Sequence, residues 1–232
     1  MEVYTNTYHL TNKDVNMHRN LRLQRLFEII QDNTIRHTTK LGAGRDKTLD
    51  KGLLWVVVQQ YAKIYRIPQY DEHITIESWP GETMHILFPR YFRFKDEEGN
   101  VIIEGSAIWT IINQEDRKVI FPEKYGITIP TSHKEKNIPL PKPIKSHDIT
   151  NNYELTIPFS YCDLNGHMSN TYYFTLLDDY TPITRTNQPI HEITTQYSKE
   201  VHLDETIKIS TDNTSYLQGS KNDNVYFKIL IK

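Results

Sequence analysis

Apolar positions along the chain recur with two distinct periods. Leu23, Leu26, Phe27 and Ile30 stand at i, i+3, i+4 and i+7, and Tyr173, Leu176, Leu177 and Tyr180 repeat that spacing late in the chain. Each set describes one stripe on a helix of 3.6 residues per turn. Gly42 ends the first helix by its tolerance of left-handed backbone, and Pro182 limits the second. Elsewhere the pattern is that of strands: Thr5 to Leu10 and Tyr153 to Phe159 precede the helices, and Leu53 to Tyr61 and Ile193 to Val201 follow them. Ile74 to Trp79 and Thr206 to Ser210 alternate as half-buried strands do. Ile86 to Phe94 and Val101 to Ile112 flank a Gly-containing hairpin connection at 95–100, and Thr214 to Gln218 and Val225 to Ile231 flank Lys221-Asn222-Asp223-Asn224 in the matching place.

The two series run in parallel because the sequence repeats itself. Asp14-Val15-Asn16-Met17-His18 matches Asp163-Leu164-Asn165-Gly166-His167, and Gln60-Tyr61-Ala62-Lys63 matches Gln196-Tyr197-Ser198-Lys199. Asp71-Glu72-His73-Ile74-Thr75-Ile76 then matches Asp204-Glu205-Thr206-Ile207-Lys208-Ile209. Matches kept in one order point to a diverged duplication. Each half therefore predicts a strand, a long helix and an antiparallel run of strands, which is the hot-dog form of an α+β fold. The expected organisation is a tandem hot-dog fold with an N-terminal domain over 1–130, a Pro-rich linker over 131–149 and a C-terminal domain over 150–232.

Composition narrows the function classes. A net charge of −2 lacks the basic excess of a nucleic-acid-binding protein. The single cysteine, Cys162, forms no internal disulfide and fits a reducing compartment. The N-terminus has no signal or transit pattern, and no apolar run approaches the ~20 residues of a membrane span. Together these predict a cytoplasmic protein with no membrane partner. The ten histidines show no zinc-ligand spacing and no Gly-rich phosphate loop is present, so neither metal nor cofactor is expected.

The duplication also singles out chemistry. Aligned through the Gln-Tyr match, the second half has Glu200 where the first has Ile64. A carboxylate on a β-patterned, partly apolar strand costs desolvation energy unless it has partners or a role. Only the second half holds the full set Asp163, Asn165, His167 and Glu200. A loop placed just before a helix offers unpaired backbone N–H groups and a positive dipole end, suited to an oxyanion. Glu200 would activate water or attack directly, with His167 as proton carrier or orienter. The plain alternative is that Asp163 and Asn165 cap a helix. Cys162, a lone thiol, is expected to be inert.

At Tyr161-Cys162-Asp163-Leu164-Asn165-Gly166-His167-Met168-Ser169-Asn170-Thr171-Tyr172 the sequence resembles the acyl-acyl-carrier-protein (acyl-ACP) thioesterases of bacteria and plants, with a following Tyr-x-x-Glu at Tyr197 to Glu200. Trp55-Val56-Val57, Ile74 to Pro80 and Ala107-Ile108-Trp109 extend the resemblance over most of the chain. It implies release of free fatty acid from acyl carrier protein, catalysis by Asp163, Asn165, His167 and Glu200, and acyl-chain selection in the first domain. The expected acyl pocket is lined by Leu23, Phe27, Trp55 and Val57. Two departures stand out. Val201 occupies the position of a cysteine found in plant members, and Ser169 replaces the first Asn of the usual pair. The remaining alternatives are a hot-dog thioesterase acting on acyl-CoA and a non-catalytic acyl-binding protein. Fused hot dogs supply their own two-domain interface, so a monomer or a homodimer is expected.

Overall fold

The computed structural model describes residues 2–132, 134 and 137–232. Residues 133, 135 and 136 of the expected linker lie outside the described residues.

The first half runs β1 (Tyr4–His9), α1 (Leu23–Lys40), β2 (Leu53–Ile64), β3 (His73–Pro80), β4 (Phe88–Lys95) and β5 (Val101–Asn113). The second runs β6 (Asn151–Thr156), α2 (Thr175–Tyr180), β7 (Glu192–Tyr197), β8 (Thr206–Thr211), β9 (Tyr216–Lys221) and β10 (Asn224–Ile231). All ten strands form one sheet in the order β1-β3-β4-β5-β2-β7-β10-β9-β8-β6. That order reads as one five-strand series followed by its mirror, so the halves meet at β2 and β7. The seam is antiparallel, from Gln59 opposite Gln196 to Lys63 opposite Glu192. Tyr61 on β2 donates its hydroxyl hydrogen to Glu192 across the seam at 3.3 Å. Gly105 on β5 is needed where strands crowd: a Cβ there would stand 2.1 Å from the Tyr61 carbonyl oxygen.

α1 buries the expected stripe of Leu23, Leu26, Phe27 and Ile30, and also Ile29, Asn33 and His37. It ends as Gly42 turns to φ +82°. The second helix is a correction to the long helix expected in each half. α2 has six residues, preceded by a 3-10 turn at Tyr172–Phe174. It stops where the backbone N–H and the hydroxyl of Thr181 both return to the Leu177 carbonyl and Pro182 follows with no N–H to donate.

Both helices press on one face of the sheet, and the resulting core is continuous across the halves. At its centre the rings of Phe27 and Phe174 stack with centroids 3.8 Å apart. The connection between halves is extended and pinned. Ile138 packs on Trp79 and Tyr91, Ser106 Oγ donates to the Pro139 carbonyl, and Ile144 N donates to Gln196 Oε1.

Hydrogen bonds correct the register of the repeat. In the second half Asp163 N donates to His167 O, Gly166 N to Asp163 O and Met168 N to Val201 O. The same three bonds in the first half are Asn16 N to Asn20 O, Arg19 N to Asn16 O and Leu21 N to Pro68 O. Asp163, Asn165 and His167 thus correspond to Asn16, His18 and Asn20. The letters Asp14, Asn16 and His18 lie two positions out of step with the geometry. Beyond the strands, Tyr65 N and Arg66 N donate to Ile102 O as Ser198 N and Lys199 N donate to Tyr226 O. Continuing that correspondence, the counterpart of Glu200 is Ile67, not Ile64, which matches Tyr197. The contrast survives in corrected form, because the first half still has an apolar residue where the second has a carboxylate.

Candidate functional site

The loop after β6 is a tight antiparallel turn closed by a bridge between Cys162 and Met168. Gly166 supplies the left-handed corner at φ +77°, where a β-carbon would strain the backbone. Asp163 Oδ1 accepts from Asn165 N at 2.8 Å, and its other oxygen lies 3.5 Å from Asn165 Nδ2. The aspartate therefore shapes the turn that presents Asn165. His167, on the far arm of the turn, bridges to His202. That strand-like contact brings the histidine beside the segment carrying Glu200.

His167 Nε2 lies 3.3 Å from Glu200 Oε1, and His167 Nδ1 lies 3.9 Å from Asp163 Oδ1. The same Glu200 oxygen is ion-paired with Arg117. Arg117 belongs to the turn after β5 in the first half, with φ +58°. This arginine was not among the expected site residues. Its sequence setting, Gln114-Glu115-Asp116-Arg117-Lys118, reads as an ordinary solvated turn, and only the fold brings it to Glu200. Three atoms of the cluster, Asn165 Oδ1, His167 Nε2 and Glu200 Oε1, are buried and, ion-pair contacts aside, hydrogen-bond to nothing among the described residues. Buried polar atoms are ordinarily paired, and here three unpaired ones stand together.

Two expectations change. Glu200 is not on a strand, since β7 ends at Tyr197 and the glutamate lies in the irregular segment after it. Nor does the loop sit at a helix start: Met168 to Thr171 separate His167 from the 3-10 turn, and α2 begins only at Thr175. The polarising group available here is the Asn165 side chain rather than a helix dipole.

Asn165 also belongs to the wall of a cavity of about 240 Å³. Apart from Leu164 and Asn165, that wall comes from the first half: Thr34, Ile35, Thr38 and Thr39 on α1, Ala43, Arg45 and Leu49 after it, and Trp55, Phe88 and Trp109 on the sheet. The lining is mainly apolar. Of the four expected pocket residues Trp55 is on the wall. Val57 lies in the same apolar cluster as Phe88 and Trp109 without lining the cavity. Leu23 and Phe27 are in the central core instead, Phe27 against Phe174, because they lie toward the start of α1 and the cavity follows its later turns.

The first-half loop shows what becomes of the equivalent position. His18 Nε2 is 2.9 Å from the Arg185 carbonyl, and Asn20 Nδ2 donates to Asn187 Oδ1 at 2.8 Å. That loop is closed by the segment after α2, whereas the second-half loop opens on the cavity beside the segment after α1.

The Cys162 thiol is held above the usual thiol range by burial and by the Asp163 and Asp204 carboxylates, which disfavours the thiolate. Among the described residues no group of three or more His, Cys, Asp or Glu is arranged to hold a metal ion, and no helix is long and apolar enough to cross a membrane.

Comparison with known proteins gives the same pair of halves. The acyl-ACP thioesterase N-terminal domain model matches residues 1–127, and the C-terminal domain model matches 144–232. The chain is 22% identical to a chloroplastic oleoyl-acyl carrier protein thioesterase of Arabidopsis thaliana, over 94% of this chain and 66% of that protein. It is 19% identical to a chloroplastic palmitoyl-acyl carrier protein thioesterase of Cuphea hookeriana, over 85% of this chain and 52% of the relative. The chain spans between about half and two thirds of the length of these curated relatives. Among solved structures, an acyl-ACP thioesterase from Bacteroides thetaiotaomicron superposes with a TM-score of 0.88 at 20% identity, covering 99% of this chain and 96% of that one. A 12:0-ACP thioesterase from Umbellularia californica gives 0.81 at 17% identity, with the same coverage. These structures share the fold, and with both domain models matched in order, the chain belongs to the acyl-ACP thioesterase family.

Proposed function

We propose that the chain hydrolyses the thioester of a fatty acyl-acyl carrier protein and releases the free fatty acid. The observation that carries this reading is the position of Asn165: it forms part of the apolar cavity wall and belongs to the same turn as His167, which touches Glu200. An alkyl chain in the cavity would leave its thioester carbonyl at this polar edge.

In this mechanism the Asn165 amide polarises the carbonyl and steadies the oxyanion, a contribution of ~10²–10³ in rate for one donor. Glu200 takes a proton from water as the water oxygen bonds to the carbonyl carbon. Collapse of the tetrahedral intermediate breaks the carbon–sulfur bond, and His167, in contact with Glu200, passes the proton to the departing sulfur. Asp163 holds the turn that aims Asn165, and Arg117 holds the Glu200 carboxylate in place. The first half supplies the acyl cavity, and the acidic carrier protein is the partner that delivers the chain.

The test is free fatty acid release from a panel of acyl-ACP thioesters by wild type and Glu200→Ala. Loss of about 10²–10⁴ in kcat with the fold intact is expected for removal of a general base. Full activity in the variant would sink the mechanism. Faster turnover of the matching acyl-CoA would reassign the carrier.

A further inference from the structure

Tyr197, the last residue of β7, donates its hydroxyl hydrogen to the Asn170 carbonyl at 3.2 Å. A second tie lies just beyond, where Met168 N donates to Val201 O at 2.7 Å. The two bonds clamp the arm that leaves the Asp163–His167 turn onto the segment 197–201. Glu200 stands between the two anchor points on that segment, and His167 immediately precedes the anchored Met168.

The first half keeps one of these ties and lacks the other. Leu21 N donates to Pro68 O as Met168 N donates to Val201 O, but the residue that matches Tyr197 is Ile64, which has no hydroxyl to give. The difference extends to its neighbours. Carried into the helices, where Phe174 matches Phe27, the same correspondence sets Asn170 against Leu23 and Tyr173 against Leu26. Leu23, Leu26 and Ile64 are all buried in the central core. That aliphatic trio satisfies the packing of the first half, so packing does not require the polar one. The polar one also carries a desolvation cost, because Asn170 Oδ1 is buried and hydrogen-bonds to nothing among the described residues. The Tyr173 ring, itself buried, packs on the Tyr197 ring with centroids 5.4 Å apart and fixes where the phenol points.

We propose that Tyr197 is a positioning residue for thioester hydrolysis. Its hydroxyl, by holding the Asn170 carbonyl, fixes the arm carrying His167 against the segment carrying Glu200 and so sets the contact between those two groups. This rests on the thioesterase reading and adds to it a residue that acts only through others. The 3.3 Å between His167 Nε2 and Glu200 Oε1 is already long for a hydrogen bond, so slack in either arm opens it.

The experiment compares wild type with Tyr197→Phe, which keeps the ring and removes only the oxygen, on acyl-ACP thioesters of one chain length. kcat is expected to fall about tenfold to a hundredfold, since a misplacement of 1 Å can cost ~10², while KM changes little. In a Glu200→Ala background the same substitution should cost nothing further, because the contact it sets is gone. An equal loss in both backgrounds overturns the proposal, as does full kcat in Tyr197→Phe with only a lower unfolding temperature. Backbone hydrogen exchange gives a readout without turnover. The amides of 167–171 should exchange about tenfold faster in Tyr197→Phe, and those of the matching first-half stretch, 20–24, should not change. Unchanged exchange over 167–171 refutes the clamp. If wild type hydrolyses no thioester, the thioesterase reading falls by itself, and the exchange result alone decides whether Tyr197 holds the arm.

Discussion

Arg117, in the turn that closes β5, is ion-paired with Glu200, which follows β7 in the other half. The contact joins a residue of the cavity-bearing half to the carboxylate of the loop-bearing half. Both side chains are partly exposed, at 34% and 26%, so the pair is screened and its worth lies in placement rather than stability. Arg117→Met is expected to lower kcat for thioester hydrolysis by about tenfold to a hundredfold, since a 1 Å misplacement can cost ~10². Arg117→Lys should keep more of the rate. Unfolding temperatures should be nearly unchanged in both. A full rate in Arg117→Met would remove the arginine from the mechanism.

Phe27 and Phe174 occupy equivalent places in the two halves and stack on each other where those halves meet. Phe174 is fully buried and Phe27 is 1% exposed. Phe27→Ala is expected to destabilise the fold by about 3–5 kcal/mol, the range for deleting a buried ring. Chemical denaturation would measure it. The pair should also be coupled: the double alanine variant should lose less than the sum of the two single losses, because either substitution alone already abolishes the stack.

Asp14 shows a clear dependence on pH. Burial pushes its pKa up, but hydrogen bonds from the Thr11 hydroxyl and backbone, together with Arg25, outweigh burial and hold it below the usual value of 3.8. With the folded value below the unfolded one, the unfolded chain takes up the proton first as the pH falls. The stabilisation is thus fully present above about pH 4 and is lost as the pH drops through the folded value. Asp14→Asn should be less stable than wild type at pH 7, and the gap should narrow below pH 4. A gap independent of pH would show that the charge contributes nothing.

Much of the architecture was legible from residue order. Strand-like apolar runs located all ten strands, β3 and β8 by alternation, and the helical stripe of α1 was visible because that helix buries one face. The register of the repeat was not. Asp14-x-Asn16-x-His18 copies the letters of the second loop, but turn geometry depends on which residue accepts the closing hydrogen bonds, and those begin at Asn16. α2 shows the same spacing as α1 yet stops after six residues, since periodicity measures a face and not a length. The cluster of Asp163, Asn165, His167 and Glu200 could be listed in advance. Arg117 could not, because contacts between distant strands decide what its charge faces.

The closing of the first-half loop by Arg185 and Asn187 has a consequence for stoichiometry. Two copies of one hot dog related by a true dyad would present two identical reaction centres. Here the near-symmetry is broken, so under the proposed mechanism each chain carries a single centre. A tight inhibitor that mimics the tetrahedral intermediate would titrate one equivalent per polypeptide, whatever the number of chains in the assembly.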